Sequence, residues 1–422
     1  MPVCFGVAPG ASGWHLAVVE AATTDGDWTL VDTQIAEPAD PRIRGEFFAW
    51  CEEFVPRLDA GAREMACDEP AIARRLHDRL DLANVGGIYD ELKAQTGYGE
   101  PAAVGVCHPY GASPVVRRAL PVLFDGQPIL PSTHADYSTA PAHARTADGA
   151  RLCALEAPLA GCLDLLTRRD GPPVANLLLL TGSSTQAELT EVHFASEAEQ
   201  VVVAVSATWA LSGGADSRGF EEGLQTAHGP TKAGTGSPCR LAVYGSHLRD
   251  VGQAIVRTAG LPEGSVFYEE ENALAVGAAR YAARCFARGV QSSGSEAGRL
   301  RVEHVVPRDV GLICTGRNGG AFWHRVFPRN TRLPAESAPI PVTGAVPPEV
   351  LLAERCDGSL GPCSWWEQGA WEPNALRWLA STRITGAEGG CAGRLMFRLA
   401  NPSGRLDYGW SDLAAEAWVY PS

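Results

Sequence analysis

Residues 241–284 constrain the fold more than any other stretch. They open on a short apolar run, Leu241-Ala242-Val243-Tyr244, that ends at Gly245-Ser246. A helical pattern comes next, with Val251, Ala254, Ile255 and Thr258 on one face. Strand, glycine turn and helix form a unit that can hold a ligand at its turn. The second half begins with Glu269, Glu270 and Glu271 beside Asn272 and continues as an Ala-rich helix. Acidic residues suit a helix start because they face the positive end of its dipole. Gly277, set among Ala275, Ala278 and Ala279, predicts close packing against another backbone.

Comparable turn-centred units recur along the chain. In residues 3–20 an apolar strand meets Pro9-Gly10-Ala11-Ser12-Gly13 and a second strand returns through Leu16, Ala17 and Val18, a β-hairpin with a tight loop. Helical patterns are expected over 42–58, 71–82, 90–96 and 113–120, the last after a strand at 102–107. Residues 176–194 give a second hairpin, in which a buried strand meets Thr181-Gly182-Ser183-Ser184-Thr185 and an alternating strand leaves it. A long strand at 201–212 leads to Gly213, Gly214 and Asp216. Residues 291–302 are polar and rich in Gly and Ser, the composition of a linker. The chain beyond residue 304 is Trp-rich, with short apolar strands, and is expected to be all-β.

Composition narrows the function classes. With 422 residues, 45% of them hydrophobic and 20% charged, the chain is globular rather than disordered. A net charge of −14 and a pI near 5.2 argue against nucleic-acid and anionic-membrane partners. The 12 cysteines include no C-x-x-C, so no zinc site and no other metal site is expected. The N-terminus lacks the pattern of a signal peptide, and the apolar runs are too short to span a bilayer. A cytoplasmic protein with reduced thiols is the expectation. Neither G-x-S-x-G nor H-E-x-x-H occurs, and the ten histidines are dispersed. Ser12 and Ser183 stand in glycine turns that suit a nucleophilic serine, but plain tight turns explain both. The cluster Glu269 to Glu271 is read as a solvated helix start, with a metal site as the minor alternative.

Taken in order, these segments resemble the 70-kDa heat-shock chaperone family. Tyr244-Gly245-Ser246 is similar to its Gly-Gly-Ser adenosine turn. Glu271-Asn272-Ala273-Leu274-Ala275-Val276-Gly277-Ala278-Ala279 is similar to its Asp-Glu-Ala-Val-Ala-x-Gly-Ala-Ala helix. Gly10, Ala11 and Ser12 fall at the first phosphate loop. Gly182, Ser183, Ser184 and Thr185 fall at the second, and Gly213 and Gly214 in the Leu-Gly-Gly-Glu-Asp segment. Residues 322–334 resemble the diagnostic Ile-x-x-Asn-Thr-x-Ile-Pro, and residues 384–406 the last strands of the family's peptide-binding domain.

The resemblance implies α/β actin-like ATPase (ribonuclease H-like) lobes over 1–289, lacking one outer subdomain. A linker at 290–304 and an all-β sandwich domain at 305–422, without the helical lid, complete the expected chain. The missing outer lobe is implied by the short stretch between Glu222 and Arg240, where the family inserts its adenine-contacting helices. The implied nucleotide loops use Gly10, Ala11, Ser12, Gly182, Ser183, Ser184, Thr185, Gly213, Gly214, Gly245 and Ser246. Glu156 falls at the family's water- and metal-positioning glutamate, and a plain helix-start Glu explains it equally well. The implied peptide cleft draws on Leu312, Phe322, Trp323, Val342, Thr343 and Gly344; ordinary sheet-core packing is the other reading of Phe322 and Trp323.

The family's two magnesium-associated Asp positions hold Ala8 and Leu180, and neither lysine, Lys93 or Lys232, matches the catalytic one. Phosphoryl transfer needs a metal to neutralise charge and a positioned water, and magnesium wants carboxylates. The expectation is therefore a chaperone-like pseudo-ATPase that binds, stabilises or scaffolds a protein or peptide partner, with no cofactor. The alternative is a nucleotide-dependent chaperone with a rebuilt site for ATP and Mg.

Overall fold

The first hairpin is β1 (Val3–Gly10) and β2 (Gly13–Ala21), in register from Val3 opposite Glu20 to Gly10 opposite Gly13. Side chains on both of its faces are buried, Phe5, Val7, Leu16 and Val18 on one and Cys4, Ala8, Ala17 and Val19 on the other, as expected of a near-continuous apolar run in an interior strand. A computed structural model of the chain describes residues 2–21, 28–37, 86–111, 150–167, 176–182, 186–197, 200–212, 239–290, 299–315, 321–342, 349–355, 376–383, 393–399 and 406–412. The helices expected at 42–58, 71–82 and 113–120 lie outside these residues. The one expected at 90–96 is present and longer, as α1 (Gly86–Thr96).

Two α/β sheets share one topology. β3 (Trp28–Ala36) joins β2 antiparallel, while β4 (Ala103–His108) and β5 (Arg151–Glu156) extend the other side in parallel. The order is β3-β2-β1-β4-β5. The second sheet uses β6 (Asn176–Gly182), β7 (Gln186–Glu197), β8 (Gln200–Ser212), β9 (Cys239–Tyr244) and β10 (Val266–Glu269). Here β6/β7 and β7/β8 are antiparallel and β6/β9 and β9/β10 parallel, so β8-β7-β6-β9-β10 repeats the first order. β11 (Arg299–Glu303), inside the segment expected to be linker, adds a further strand parallel to β8. The two glycine-turn hairpins thus occupy equivalent places in a duplicated unit.

The helices bind the sheets together. α2 (Ala157–Thr167) comes after β5, α3 (Arg249–Ala259) after β9, and α4 (Asn272–Val290) after β10. α3 buries Val251, Gly252 and Ile255 against Leu178, Leu180, Leu241 and Val243, whereas Thr258, expected on this face, is exposed. Gly252 packs closely on this face, where an added Cβ would lie 2.8 Å from Val243 Cγ2. α4 packs across β1 and β4 of the first sheet and along α2. Its small-residue face makes this possible: a Cβ on Gly277 would lie 1.9 Å from the Ala160 carbonyl oxygen. Arg280 of α4 and Asp164 of α2 complete the contact with an ion pair at 3.1 Å, the aspartate being buried.

The described residues from His304 onward form a separate unit. β12 (Val310–Thr315), β13 (Ala321–Phe327), β16 (Glu349–Arg355) and β17 (Leu376–Arg383) make one antiparallel sheet. β14 (Ala335–Glu336), β15 (Ile340–Val342) and β19 (Leu406–Asp412) all pair with β18 (Gly393–Leu399) in another. The Asn330-Thr331 motif forms a turn tied back to the start of the unit: the Asn330 N–H donates to the Val306 carbonyl at 2.8 Å and the Val306 N–H to the Thr331 carbonyl at 2.8 Å. No helix among the described residues is long and apolar enough to cross a membrane.

Candidate functional site

Two glycine-bearing turns meet at the Glu271 carboxylate at the start of α4, and Gly182 is joined to them through His247. The β1–β2 turn supplies Ser12, whose backbone N–H donates to Glu271 Oε2 at 3.1 Å and whose hydroxyl donates to the same oxygen at 2.6 Å. His15, opposite Ala8 in the hairpin register, brings Nε2 to 3.1 Å from Oε2. Because the serine hydroxyl already donates there, His15 Nε2 carries the proton that completes this contact. His247, in the turn after β9, places Nδ1 3.0 Å from Glu271 Oε1 and Nε2 2.8 Å from the Gly182 carbonyl oxygen of the second hairpin. Both partners of His247 are acceptors, so the two contacts favour the doubly protonated ring, in which both nitrogens donate.

This geometry sets the electrostatics. Burial alone would raise the Glu271 carboxyl, but the hydrogen bonds from His15, His247 and the Ser12 hydroxyl and amide hold it far below the usual carboxylate range. Burial would likewise lower His247, yet its bonds to Glu271 and to the Gly182 carbonyl raise it above the ordinary imidazole value. Glu271 is thus no solvated helix-start residue, contrary to the sequence-based expectation; Glu270 beside it is exposed. Helix α4 begins one residue later, at Asn272, which leaves the Glu271 side chain free to turn toward the hairpin.

The glycines of these turns make room for the cluster. A Cβ on Gly10 would lie 2.5 Å from Glu271 Oε2 and 2.7 Å from His15 Nε2. One on Gly245, where φ is +103°, would lie 2.5 Å from His247 Cε1. The space that a glycine turn keeps open for a phosphate is filled here by the protein's own side chains. Beside the cluster opens a cavity of about 520 Å³, lined among others by Ser12, His15, Gly245, Ser246, Arg249 and Tyr268.

A serine nucleophile is not built here. In a relay the imidazole uses one nitrogen for the serine and the other for the carboxylate. His15 presents the same nitrogen, Nε2, to Ser12 Oγ at 3.2 Å and to Glu271. Nor do the residues fit magnesium. Ala8 and Leu180 are sealed in the core at 1% and 0% exposure, so no carboxylate stands at either expected position. Among the described residues no group of His, Cys, Asp and Glu is arranged to hold a metal ion.

The structure also places the other expected site residues. Ala11 and Ser246 lie beside the cluster in their turns, and both are exposed. Glu156 ends β5, opposite His108, and is buried. Ser183, Ser184, Thr185, Gly213, Gly214, Thr343 and Gly344 lie outside the described residues. Leu312 and Trp323 are buried side chains of β12 and β13, and the Trp323 indole lies over Gly311, where an added Cβ would meet it at 2.5 Å. Phe322 belongs to β13 and Val342 to β15. A second carboxylate that sequence reasoning missed, Glu188 of β7, accepts the backbone N–H groups of Tyr110 and Gly111, each at 2.7 Å. It ties the loop after β4 in the first sheet to the second sheet, as Glu271 ties the two hairpins.

No family model matches the chain, and no curated protein matches it. Solved structures do. The ethanolamine utilization protein EutJ from Carboxydothermus hydrogenoformans is 11% identical, covering 68% of this chain and 90% of its own, with a TM-score of 0.33. The activator of the 2-hydroxyisocaproyl-CoA dehydratase from Clostridium difficile, solved with bound ADPNP, is 8% identical over 69% of this chain and 98% of its own, at 0.31. A chain of the PilM–PilN type IV pilus biogenesis complex is 14% identical over 68% of this chain and 98% of its own, at 0.28.

Proposed function

We propose that this chain is a binding or scaffold protein on actin-like lobes of the 70-kDa heat-shock kind, a pseudo-ATPase in which the nucleotide cycle has been lost. The observation that carries this reading is the Glu271 carboxylate on the Ser12 amide and hydroxyl, the donors a phosphate would need. An anionic ligand must displace that carboxylate from four hydrogen bonds before it gains any of its own. The apolar residues Ala8 and Leu180 remove the usual means of holding a metal–phosphate pair. The C-terminal region, 305–422, which the sequence reads as all-β, is the part we assign to a protein or peptide partner, bound constitutively. Nucleotide moves a domain only through differential binding to two states, so without binding it drives nothing.

A second reading is a nucleotide-dependent chaperone with a rebuilt site. The cavity of about 520 Å³ beside Gly245 and Ser246 favours it, being within the size range of small-molecule pockets. Calorimetric titration of the purified protein with ATP and magnesium separates the two. No binding heat is the expected result; saturable heat would overturn the pseudo-ATPase reading in favour of the rebuilt site.

A further inference from the structure

We infer that Glu271 is an internal ligand: its carboxylate closes an oxyanion site built by Ser12, His15 and His247, and that site takes a small oxyanion when the carboxylate is withdrawn. The inference deepens the pseudo-ATPase reading by naming what keeps the turn closed.

An ionised carboxylate offers about four lone-pair positions. Glu271 meets four donors: the Ser12 N–H and hydroxyl and His15 Nε2 on Oε2, and His247 Nδ1 on Oε1. Both oxygens are engaged, by groups from two separate turns, which is more than one surface ion pair provides. Much of the site's backbone is held without Glu271. The β1–β2 register sets the backbone at His15 and closes the turn that carries Ser12, with Gly10 opposite Gly13 and Ala8 opposite His15. His247 is anchored from its far nitrogen by the Gly182 carbonyl at 2.8 Å. Removing the carboxylate therefore leaves the backbone of the cradle in place. It also removes the partner that raises His247 against burial, and a bound anion would restore that interaction.

The cradle has a way in, since Ser12, His15 and Glu271 all line the cavity of about 520 Å³. Glu269 and Glu270 on the same cavity oppose a highly charged anion, and Arg249 partly offsets them. The class of ligand that fits is a small, singly charged oxyanion with the bite of a carboxylate. Formate is the simplest probe.

The test uses the full chain carrying Glu271→Ala. Its melting temperature is expected to fall below that of the wild type and to recover, dose-dependently, with sodium formate but not with sodium chloride at equal ionic strength. The wild type, its cradle already filled, is expected to respond alike to both salts. A variant indifferent to formate, or a wild type that responds as strongly as the variant, overturns the inference. If Glu271→Ala is recovered only unfolded, refolding in formate and in chloride takes its place. A higher folded yield in formate supports the site, and equal yields overturn it. ATP takes no part in this experiment, so binding of ATP by the wild type would sink the pseudo-ATPase reading while leaving the formate result to stand or fall alone.

Discussion

The Glu271 carboxylate accepts the backbone N–H of Ser12 at 3.1 Å across 259 positions of sequence. That bond joins the start of α4 to the turn of the first hairpin. With His247 reaching Gly182, the same carboxylate holds together turns from both sheets of the duplicated α/β unit. An anion supplied by the chain, in a turn that could otherwise admit one from solution, is a stabilising contact and a steric block at once.

The block is tested by activity. Purified protein incubated with ATP and magnesium is expected to release phosphate at the background rate. Magnesium-dependent release that persists through purification and vanishes in Glu156→Ala would show a working site.

The stabilising role has a pH signature. His247 is raised in the folded state, so its contribution is complete below about pH 6.5 and is lost as pH climbs through the higher folded value. Glu271 is lowered, so its contribution is present above about pH 4.3 and is lost only as pH falls through its much lower folded value. The gap in melting temperature between wild type and His247→Gln should thus be widest from about pH 5 to 6.5 and narrow above it. A gap that stays constant into the alkaline range would mean His247 does not bind Glu271 as an imidazolium.

Glu188 provides an independent check on the contact between the sheets. Glu188→Ala takes away the acceptor of the Tyr110 and Gly111 N–H groups and should cost roughly 2–4 kcal/mol of stability. Hydrogen exchange should accelerate at those two amides in particular. Unchanged protection there would place the carboxylate elsewhere in solution.

Close approach of α4 to α2 predicts intolerance at one glycine and indifference at another. Gly277→Ala puts a methyl group 1.9 Å from the Ala160 carbonyl oxygen and should destabilise at or above the upper end of about 1–3 kcal/mol. Gly99→Ala meets nothing within 4 Å and should be neutral or slightly stabilising through the unfolded chain. Denaturant melts of the two variants decide it, and equal midpoints would contradict the packing.

Much of the fold was legible because its signals are local. Apolar runs broken by a tight turn gave both hairpins, because such a pattern is read from neighbouring residues alone. The Ala-Gly pattern of 273–279 announced a helix that meets another backbone, and Gly277 does. The segment expected to be linker hid β11, because short polar strands carry little apolar pattern and Arg299–Glu303 is held by its pairing with β8.

The chemistry of the site was far less legible. The sequence by itself placed glycines at Gly10, Gly182 and Gly245 in turns that end apolar strands. It marked Glu271 as a helix-start acid and His15 and His247 as two dispersed histidines among ten. Only the tertiary structure decided that these three side chains share one set of protons. The physical reason is that hydrogen bonds between side chains depend on distances of about 3 Å. Those distances are set by how α4 packs across the first sheet and how the two sheets bring their turns together, and no local pattern in the chain encodes that meeting.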